Sequence, residues 1–583
     1  MSIENNSYRN FDIAIYLSDK DMVRVEDDVW LEESFAVISK NIKIGKIYLE
    51  TFRAGVATER KYLEKAISFF QKKGITRISG GIMASRPRPD AGRSFCYTDP
   101  AEREQFRQII EYTAGMFDEL ILDDLFTFYC RCEKCREARG DRSWTQYRMD
   151  VMEEVYKELV IKAARAVNPN INLIIKYPNW YEQYQLAGYN LEAGPRLMDQ
   201  YYTGTETRDS ENTNQHLQIY QSYNIMRYFD HMRPGLLGGG WVDPVMPGSL
   251  NRFAQQFDLT LFAKPKETTI WSYGLLLDYI KKENGGNKIL GLKAAVAGDS
   301  FEKADSFLDQ LGQPIGVASY KPYHSFGESY IHNYIGMIGI PIDLYPEFPE
   351  SSPTVFLSAQ AAYDRDIVPK IEKQLENGKT VIITSQLYKA LLDRGIKRVA
   401  EIDYTDKKVL SDKFVLGKTM GQSFTNVYKA EKPILFTQLN YGLLEGEELA
   451  QCVTQSNRFP VIISYKGYEK GKFYIVNMPE DMGDLYNLPS ELLSLLRYVF
   501  MADIPVRLDG PAKTCLFVYD NSTFIAQSFL RYTADCVISV KKPGTRLVDL
   551  ISDEVIESRY CENGEAIFKL ALKPESYSVF RIQ

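Results

Sequence analysis

Four carboxylate side chains stand at or just after apolar, strand-like segments in the first half of the chain. Two carboxyl groups, one protonated and one ionised, can cleave a glycosidic bond when they flank it. Chemistry of this kind requires the fold to bring distant segments around one pocket, so that each carboxyl reaches the reacting atoms. The four candidates are Asp123, Asp124, Glu206 and Asp243.

Asp124 is the first choice for one member of the pair. It follows the apolar run LIL, and burial among apolar groups raises the pKa of a carboxyl. The partner stays open between two residues, with a slight preference for Glu206. Glu206 lies in the polar segment TGTETRDS, which suits the wall of a site, whereas Asp243 ends the apolar segment 235–244.

Aromatic residues accompany these carboxylates. The chain has 39 Tyr and 30 Phe, and 13% of its residues are aromatic. A flat apolar face with a polar edge suits a sugar ring, and packing in the core is the alternative for each aromatic side chain. Near the ends of predicted strands we expect seven substrate-binding residues: Glu50, Asp123, Asn179, Trp180, Tyr202, Trp241 and Trp271.

A dense group of cysteines is the strongest local motif. Cys130, Cys132 and Cys135 form a C-x-C-x-x-C run, and Cys96 lies in the loop after the preceding predicted strand. Four thiolates from neighbouring loops can close a tetrahedral Zn²⁺ site. Four cysteine ligands leave no coordination position open, so we expect a structural zinc and no catalytic cofactor. Disulfides or free thiols are the alternatives.

Apolar, β-prone segments alternate with amphipathic helices through residues 1–285. Asp99-Pro100 is a typical helix start and Gly74 a typical helix end. Eight such units match a (β/α)8 TIM barrel, in which chemistry lies at the C-terminal ends of the strands. A doubly wound sheet is the alternative, and no G-x-G-x-x-G motif follows the first strand to support it. The predicted strands are 11–17, 43–52, 75–83, 118–126, 171–180, 196–204, 235–244 and 267–274.

Two further domains are predicted after the polar, Gly-rich segment 281–288. Residues 286–503 show a strand–helix–strand pattern that is typical of an α/β domain with a parallel sheet. Residues 504–583 show short alternating strands and turns, which predict a small antiparallel β-sandwich. The barrel then occupies residues 1–285.

The acidic pair after the fourth strand, the CxCxxC run and the cysteine after the third strand together resemble glycoside hydrolase family 42, the β-galactosidases and related clan A enzymes. The resemblance implies an acid/base residue on strand four, a middle domain with a class I glutamine-amidotransferase-like fold that builds a trimer, and a small β domain. The family has Asn-Glu where this chain has Asp123-Asp124, so Asp124 becomes the general acid by position. The family nucleophile is a Glu at the end of strand seven, where Asp243 is the nearest carboxylate. Barrels similar to α-galactosidases pair strands four and six, which corresponds to Asp124 with Glu206.

Length and charge exclude several classes. A chain of 583 residues is too long for one core, and a net charge of −7 with a pI of about 5.6 argues against nucleic acid or an anionic membrane as partner. No apolar run reaches the roughly 18 residues that a membrane helix needs, and the N-terminus has no signal core. We expect a cytoplasmic protein, or a periplasmic one if a leader has been removed, that forms a trimer or dimer.

These observations predict a glycoside hydrolase of carbohydrate metabolism, exo-acting on a glycan or oligosaccharide. A catalytically silent barrel that binds glycans and a non-glycosidic barrel lyase are the alternatives. The sugar, its anomeric configuration and the stereochemical outcome stay open.

Overall fold

The computed structural model describes the chain in two compact units, Met1–Asp309 and Gln310–Gln583. None of the helices within the described ranges is long and apolar enough to cross a bilayer. The described residues are all those outside 1–6, 87–93, 210, 213–216, 247, 282–286, 418–425, 442–445, 456, 466, 468–469 and 563.

The first unit is built on a closed barrel of eight parallel strands. Each strand pairs with its neighbour in the chain, and the first strand also pairs with the last, so the sheet has no open edge. This confirms the predicted TIM barrel. The strands are Asp12–Leu17 (β1), Lys46–Arg53 (β2), Ile78–Ile82 (β3), Glu119–Leu122 (β4), Asn172–Tyr177 (β5), Gln200–Gly204 (β6), Leu237–Val242 (β7) and Glu267–Trp271 (β8).

Helices surround the barrel on the outside. Asp99 caps the fourth of them as predicted, since its side chain accepts hydrogen bonds from the backbone N–H groups of Ala101 and Glu102. Two helices between β1 and β2 were not predicted. The helices are Asp19–Arg24, Asp28–Ser39, Arg60–Lys72, Pro100–Ala114, Glu133–Arg139, Trp144–Val155, Lys162–Val167, Gly194–Leu197, Gln221–Asp230, Leu250–Phe262 and Leu292–Asp305, with a π-helical turn at Tyr156–Ile161.

Side chains fill the barrel interior from bottom to top. Lys46 lies at the N-terminal end, where it pairs with Glu119 and, at 3.4 Å, with Glu267. An apolar and aromatic layer lies above Lys46, Glu119 and Glu267 and separates these three charged residues from the C-terminal rim. Its members are Ala14, Tyr16, Tyr48, Ile121, Ile174, Tyr202 and Trp241.

The described residues on both sides of the predicted boundary at 285 lie in the first compact unit. Strands Asp278–Lys281 and Asn287–Leu290 form an antiparallel hairpin, and the helix Leu292–Asp305 that follows belongs to the first unit. The domain boundaries at 285 and 503 stay predictions, because the described chain divides at Asp309.

The second unit contains a nine-stranded mixed sheet. Five strands are parallel, in agreement with the predicted α/β pattern, and four antiparallel strands extend the sheet. The amidotransferase-like assignment stays a prediction. In sheet order the strands are Ile342–Tyr345, Val317–Tyr320, Thr354–Leu357, Thr380–Thr384, Lys472–Val476, Arg458–Tyr465, Gly446–Val453, Ile402–Leu416 and Tyr428–Tyr441; the helices are Ile331–Met337, Ile367–Glu376, Ser385–Ala390 and Ser490–Phe500.

The chain ends in two antiparallel sheets, as predicted. One has six strands and includes a short strand from the start of the unit, Pro314–Ile315. The six are Pro314–Ile315, Thr514–Tyr519, Thr523–Ser528, Tyr577–Ile582, Arg546–Asp549 and Val555–Glu557; the other sheet has Val506–Asp509, Ala534–Val540, Glu565–Leu572 and Tyr560–Glu562.

Candidate active site

A lysine joins the predicted carboxylates at the C-terminal rim of the barrel. The Nζ atom of Lys176 lies 2.9 Å from Oδ2 of Asp124 and 3.4 Å from Oε1 of Glu206. It also lies 3.8 Å from Oδ1 of Asp123. The two outer oxygens, on Asp124 and Glu206, can therefore be no farther apart than the sum of the first two contacts, about 6.3 Å. Barrel closure thus gathers three of the four predicted carboxylates around one ammonium group.

Strand β5 places Lys176 at this point. Successive side chains of a strand point to opposite faces, so Ile174 and Lys176 face the interior while Tyr177 packs outward against Phe229. Lys176 is 1% exposed, and its Nζ lies 5.3 Å from the centre of the Trp241 ring. A charge buried this deeply is retained in proteins when it is paired.

Glu206 is more deeply buried than Asp124, the other carboxylate that contacts Lys176. Its side chain is 4% exposed, and Oε2 makes no hydrogen bond with any residue that the structure describes. Burial raises the pKa of Glu206 to about 7; Lys176 opposes this shift and Asp243 adds to it. A substantial share of Glu206 is therefore protonated at neutral pH.

Glycine at the end of β6 makes room for this carboxyl group. A Cβ atom on Gly204 would lie 2.6 Å from Oε2 of Glu206 and 2.9 Å from the backbone nitrogen of Asn179. The side-chain amide of Asn179 donates a hydrogen bond to the backbone oxygen of Glu206 at 2.5 Å. Asn179, expected to bind substrate, thus holds the loop that carries Glu206.

Asp123 and Asp124 differ in their access to solvent. Asp123 is buried, and its Oδ1 accepts a hydrogen bond from the backbone N–H of Asp124 at 2.7 Å. Burial, together with the neighbouring charge of Asp124, raises the pKa of Asp123 to about 6. The Asp124 side chain is 28% exposed and is the carboxylate of this group that a ligand can approach.

Glu50 is fully occupied by protein partners. Tyr16 donates its hydroxyl to Glu50 at 2.9 Å, and Arg53 donates Nε to both carboxylate oxygens at 2.8 Å. Burial raises the pKa of Glu50 to about 7, although Arg53 opposes the shift. Since Arg53 also reaches to 3.6 Å from Asp123, Glu50 serves to hold Arg53 beside the site.

Asp243 is held by a different cation. Arg208 makes a two-point ion pair with it, through Nη2 at 2.6 Å and Nε at 3.2 Å. The backbone N–H of Val245 donates a further hydrogen bond to Asp243 at 3.0 Å. The geometry therefore places Glu206 with Asp124 on Lys176, and Asp243 with Arg208.

The predicted aromatic residues separate into rim and core positions. Trp271 is partly exposed, lies 5.4 Å from the guanidinium of Arg53, and its Nε1 finds no partner in the described part of the chain. Trp180 is also partly exposed and packs on Tyr184. Trp241 lies beneath Lys176, in the interior layer.

Tyr202 does not reach the rim. It lies in the middle of β6, and its hydroxyl donates to Glu267 at 3.1 Å, toward the N-terminal end of the barrel. The prediction that it contacts substrate is corrected, because the inward-facing position nearest the rim belongs to Gly204 and the loop after it. Lys176 and Arg208 were missed. A lone lysine in the apolar run LIIKYP was the available signal for the first of them.

The four predicted cysteines meet in one cluster. All of their sulfur atoms lie within 4.8 Å of one another, and none is in a disulfide. The Sγ atom of Cys96 lies 3.8 Å from that of Cys132 and 3.5 Å from that of Cys135. Four sulfurs about 2.3 Å from a central zinc form a tetrahedron with edges of about 3.8 Å, so the spacing fits this metal. The cluster is completed by Cys130.

A buried arginine lies beside the cysteine cluster. Arg148 donates to the backbone oxygen of Leu186 at 2.7 Å and pairs with no carboxylate in the described part of the chain. Burial, followed by Arg131, lowers the pKa of Arg148, and charge on the Cys135 thiol acts in the opposite direction. Negative charge on the cysteines would supply the counter-ion that this guanidinium lacks.

A closed eight-stranded barrel with carboxylates gathered at its C-terminal rim is an arrangement that glycoside hydrolases use. Comparison with known families agrees. The family model described as "Probable glycosyl hydrolase, catalytic domain" matches residues 2–297, so the chain belongs to this family. Residues 312–481 match the model "Uncharacterized protein SSO3021, second domain", and residues 505–582 match "Probable glycosyl hydrolase, C-terminal domain".

One curated relative and several solved structures resemble the chain. The uncharacterized protein SSO3021 of Saccharolobus solfataricus is 23% identical over 397 residues, which cover 61% of this chain and 64% of that protein. The chain thus spans less than two thirds of that relative's length. A catalytic mutant of a GH42 β-galactosidase from G. stearothermophilus superposes with a TM-score of 0.62, 12% identity and 99% coverage of both chains.

An α-L-fucosidase isoenzyme from Paenibacillus thiaminolyticus has a TM-score of 0.64, 12% identity, and coverage of 99% of this chain and 100% of its own. At this level of identity these likenesses show the fold. They confirm the resemblance to family 42 that the cysteine motif and the acidic pair indicate.

Proposed function

We propose that the chain is an exo-acting glycoside hydrolase in which Asp124 and Glu206 are the catalytic pair. The observation that carries the proposal is the ammonium of Lys176 between them, which holds their nearest contacting oxygens within about 6.3 Å. A glycosidic bond is flanked by two carboxyl groups at separations of this order. The names of two structural neighbours, a β-galactosidase and an α-L-fucosidase, agree with action on a terminal sugar.

Glu206 is assigned as the general acid and Asp124 as the nucleophile. Burial keeps a proton on Glu206 near neutral pH, since its pKa is about 7. Asp124 is the more exposed of the two carboxylates, so an anomeric carbon can reach it, and it lies 2.9 Å from the ammonium of Lys176. This order reverses the role that the family resemblance implies for Asp124.

The short separation favours a double displacement with retention. Carboxyl groups about 5–5.5 Å apart act in this way, whereas inverting enzymes leave room for a water at about 6.5–9.5 Å. In the first step, Asp124 attacks the anomeric carbon while the bond to the leaving oxygen breaks and Glu206 transfers its proton to that oxygen. In the second step, Glu206 takes a proton from water, and the water oxygen displaces Asp124.

Azide rescue tests both assignments. A panel of nitrophenyl glycosides in both anomeric forms first identifies the substrate. With Asp124→Ala, azide should attack the anomeric carbon directly and give a glycosyl azide of inverted configuration. With Glu206→Ala, azide should attack the glycosyl-enzyme and give a glycosyl azide of retained configuration.

Asp243→Ala is the matched control, because Asp243 is a rim carboxylate that pairs with Arg208 instead of Lys176. Azide should give no glycosyl azide with this variant. Rescue of the Asp243 variant in place of the Glu206 variant would contradict the assignment. Sugar binding without turnover on any substrate would support the silent glycan-binding alternative.

We also propose that the four-cysteine cluster holds a structural zinc. The tetrahedral spacing of the sulfurs and the buried Arg148 support this. Zinc there would fix the loop after β4, which directly follows Asp123 and Asp124, and would take no part in the reaction.

A further inference from the structure

We infer that Lys176 is the positioning residue that, as an ammonium ion, holds the two rim carboxylates together and sets the pH range in which the pair works; this rests on the proposed function of Asp124 and Glu206. The contacts of Lys176 with the three carboxylates are unequal. Lys176 lies nearer to Asp124, at 2.9 Å, than to Glu206, at 3.4 Å, and its contact with Asp123 is longer still at 3.8 Å.

The charges around Lys176 explain why a proton must be shared unequally. Carboxylates outnumber cations at the rim, so full ionisation of all of them would leave unbalanced negative charge in a buried site. The other charged groups around Asp124 and Glu206 are Lys176, Asp123, Asp243, Arg53 and Arg208. Arg53 is committed to Glu50, and Arg208 to Asp243, which leaves Lys176 as the cation shared by the pair.

Lys176 opposes the effect of burial on Glu206. Asp124 has both the shorter contact with the ammonium and the more exposed side chain. Glu206 has the longer contact and is 4% exposed, so burial raises its pKa more than Lys176 lowers it. Removal of the ammonium leaves the effect of burial on Glu206 unopposed by this cation.

Lys176 performs this role as an ammonium ion. Burial alone would lower its pKa, but Asp124, Glu206 and Asp123 outweigh burial and hold the pKa above its usual value. A lysine that forms a Schiff base needs the opposite shift, toward a neutral amine. The environment of Lys176 therefore favours an electrostatic role and speaks against a lysine-based lyase.

The barrel offers a matched control for this lysine. Lys46 is equally buried and also lies between two carboxylates, Glu119 and Glu267, but at the opposite end of the barrel. The same substitution at both positions therefore removes a buried ammonium from the same fold. Lys176→Met and Lys46→Met are compared with the unchanged enzyme on the best glycoside substrate, by the pH profile of kcat/KM.

Lys176→Met should lower kcat about 100-fold or more and move the alkaline limb of the profile to higher pH by about one unit or more, because the pKa of Glu206 rises when its neighbouring cation is lost. Lys46→Met should leave both limbs in place. Equal profiles for the two variants would overturn the inference and leave Lys176 a structural residue.

Thermal unfolding gives a second measurement that needs no turnover. Because the folded-state pKa of Glu206 is raised from 4.5 to about 7, its contribution to stability is complete at low pH and is lost as pH rises through about 7. In Lys176→Met this loss becomes larger and extends to higher pH, so the Tm difference from the unchanged protein should widen between about pH 5 and pH 8.

The Tm difference for Lys46→Met is the reference for loss of a buried ammonium, and it should also widen with pH, because Glu119 loses the cation that lowers its pKa. A Tm difference for Lys176→Met that does not change with pH would contradict the inference. If no glycoside is cleaved by the unchanged protein, the proposed function fails, and the unfolding experiment still decides the role of Lys176.

Discussion

Arg208 and Asp243 form a two-point ion pair at the rim of the barrel, with Nη2 2.6 Å from Oδ2 and Nε 3.2 Å from Oδ1. Both residues also act on Glu206: Asp243 raises its pKa and Arg208 lowers it. The ion pair therefore shifts the pKa of Glu206, the proposed general acid, although the salt bridges to Glu206 come from Lys176 among the described residues.

Substitution of either member of this pair should move the alkaline limb of activity, in opposite directions. Asp243→Asn removes a negative charge, so the pKa of Glu206 falls and the limb moves to lower pH. Arg208→Met removes a positive charge, so the limb moves to higher pH. The pH profile of kcat/KM measures both shifts, expected to be a few tenths of a pH unit. Shifts in the same direction would show that neither charge reaches Glu206.

The unchanged enzyme should lose activity as pH rises through about 7, because Glu206 must carry a proton to act as the general acid and its pKa is about 7. Glu206→Gln should lower kcat about 100- to 10,000-fold and remove the alkaline limb. Binding of the product sugar, measured by calorimetry, should be retained. An alkaline limb that persists in Glu206→Gln would assign the acid to another residue.

The cysteine cluster should bind one zinc ion per chain. Cys135→Ser should lose most of the metal and lower the Tm by about 5 °C or more, since binding of a structural metal contributes directly to folding. Metal analysis by mass spectrometry and thermal unfolding measure the two effects. Cys452→Ser is the matched control, because Cys452 is also buried but lies outside the cluster. Equal metal content in both variants would exclude the site.

Arg497 should be one of the most sensitive positions for stability in the second unit. It is completely buried and donates to the backbone oxygens of Ile338 and Gly510 at 2.7 Å, and of Pro511 at 3.3 Å. Arg497→Met leaves these oxygens without partners, at a cost of about 1–3 kcal/mol each. Denaturant unfolding should report a loss of several kcal/mol. A loss below about 1 kcal/mol would show that other donors replace the guanidinium.

Much of the barrel could be predicted from the sequence because its signals are local. Each parallel strand is a short apolar run buried on both faces, and each is followed by a recognisable helix start such as Asp99. The cysteine cluster was predictable for the same reason, since three of its four ligands lie within six residues of each other.

The site itself was only partly predictable, because it depends on pairings between distant residues. Asp124 and Glu206 were identified as rim carboxylates, but their common partner Lys176 emerges only when β4, β5 and β6 are set side by side. Tyr202 shows a second limit. Tyr201 and Tyr202 are adjacent and chemically alike, and strand parity alone sends one outward to the backbone oxygen of Phe229 and the other inward to Glu267.

The absence of a side chain at Gly204 determines whether a related chain can place a glutamate as Glu206 is placed here. A methyl group there would occupy the space of the Glu206 carboxyl, so one added carbon atom is enough to displace the proposed proton donor while every acidic residue is still present. Some relatives will carry both acidic residues, at the positions of Asp124 and Glu206. Among them, we expect catalysis only where glycine stands at the position of Gly204, and a barrel without turnover where a larger residue stands there.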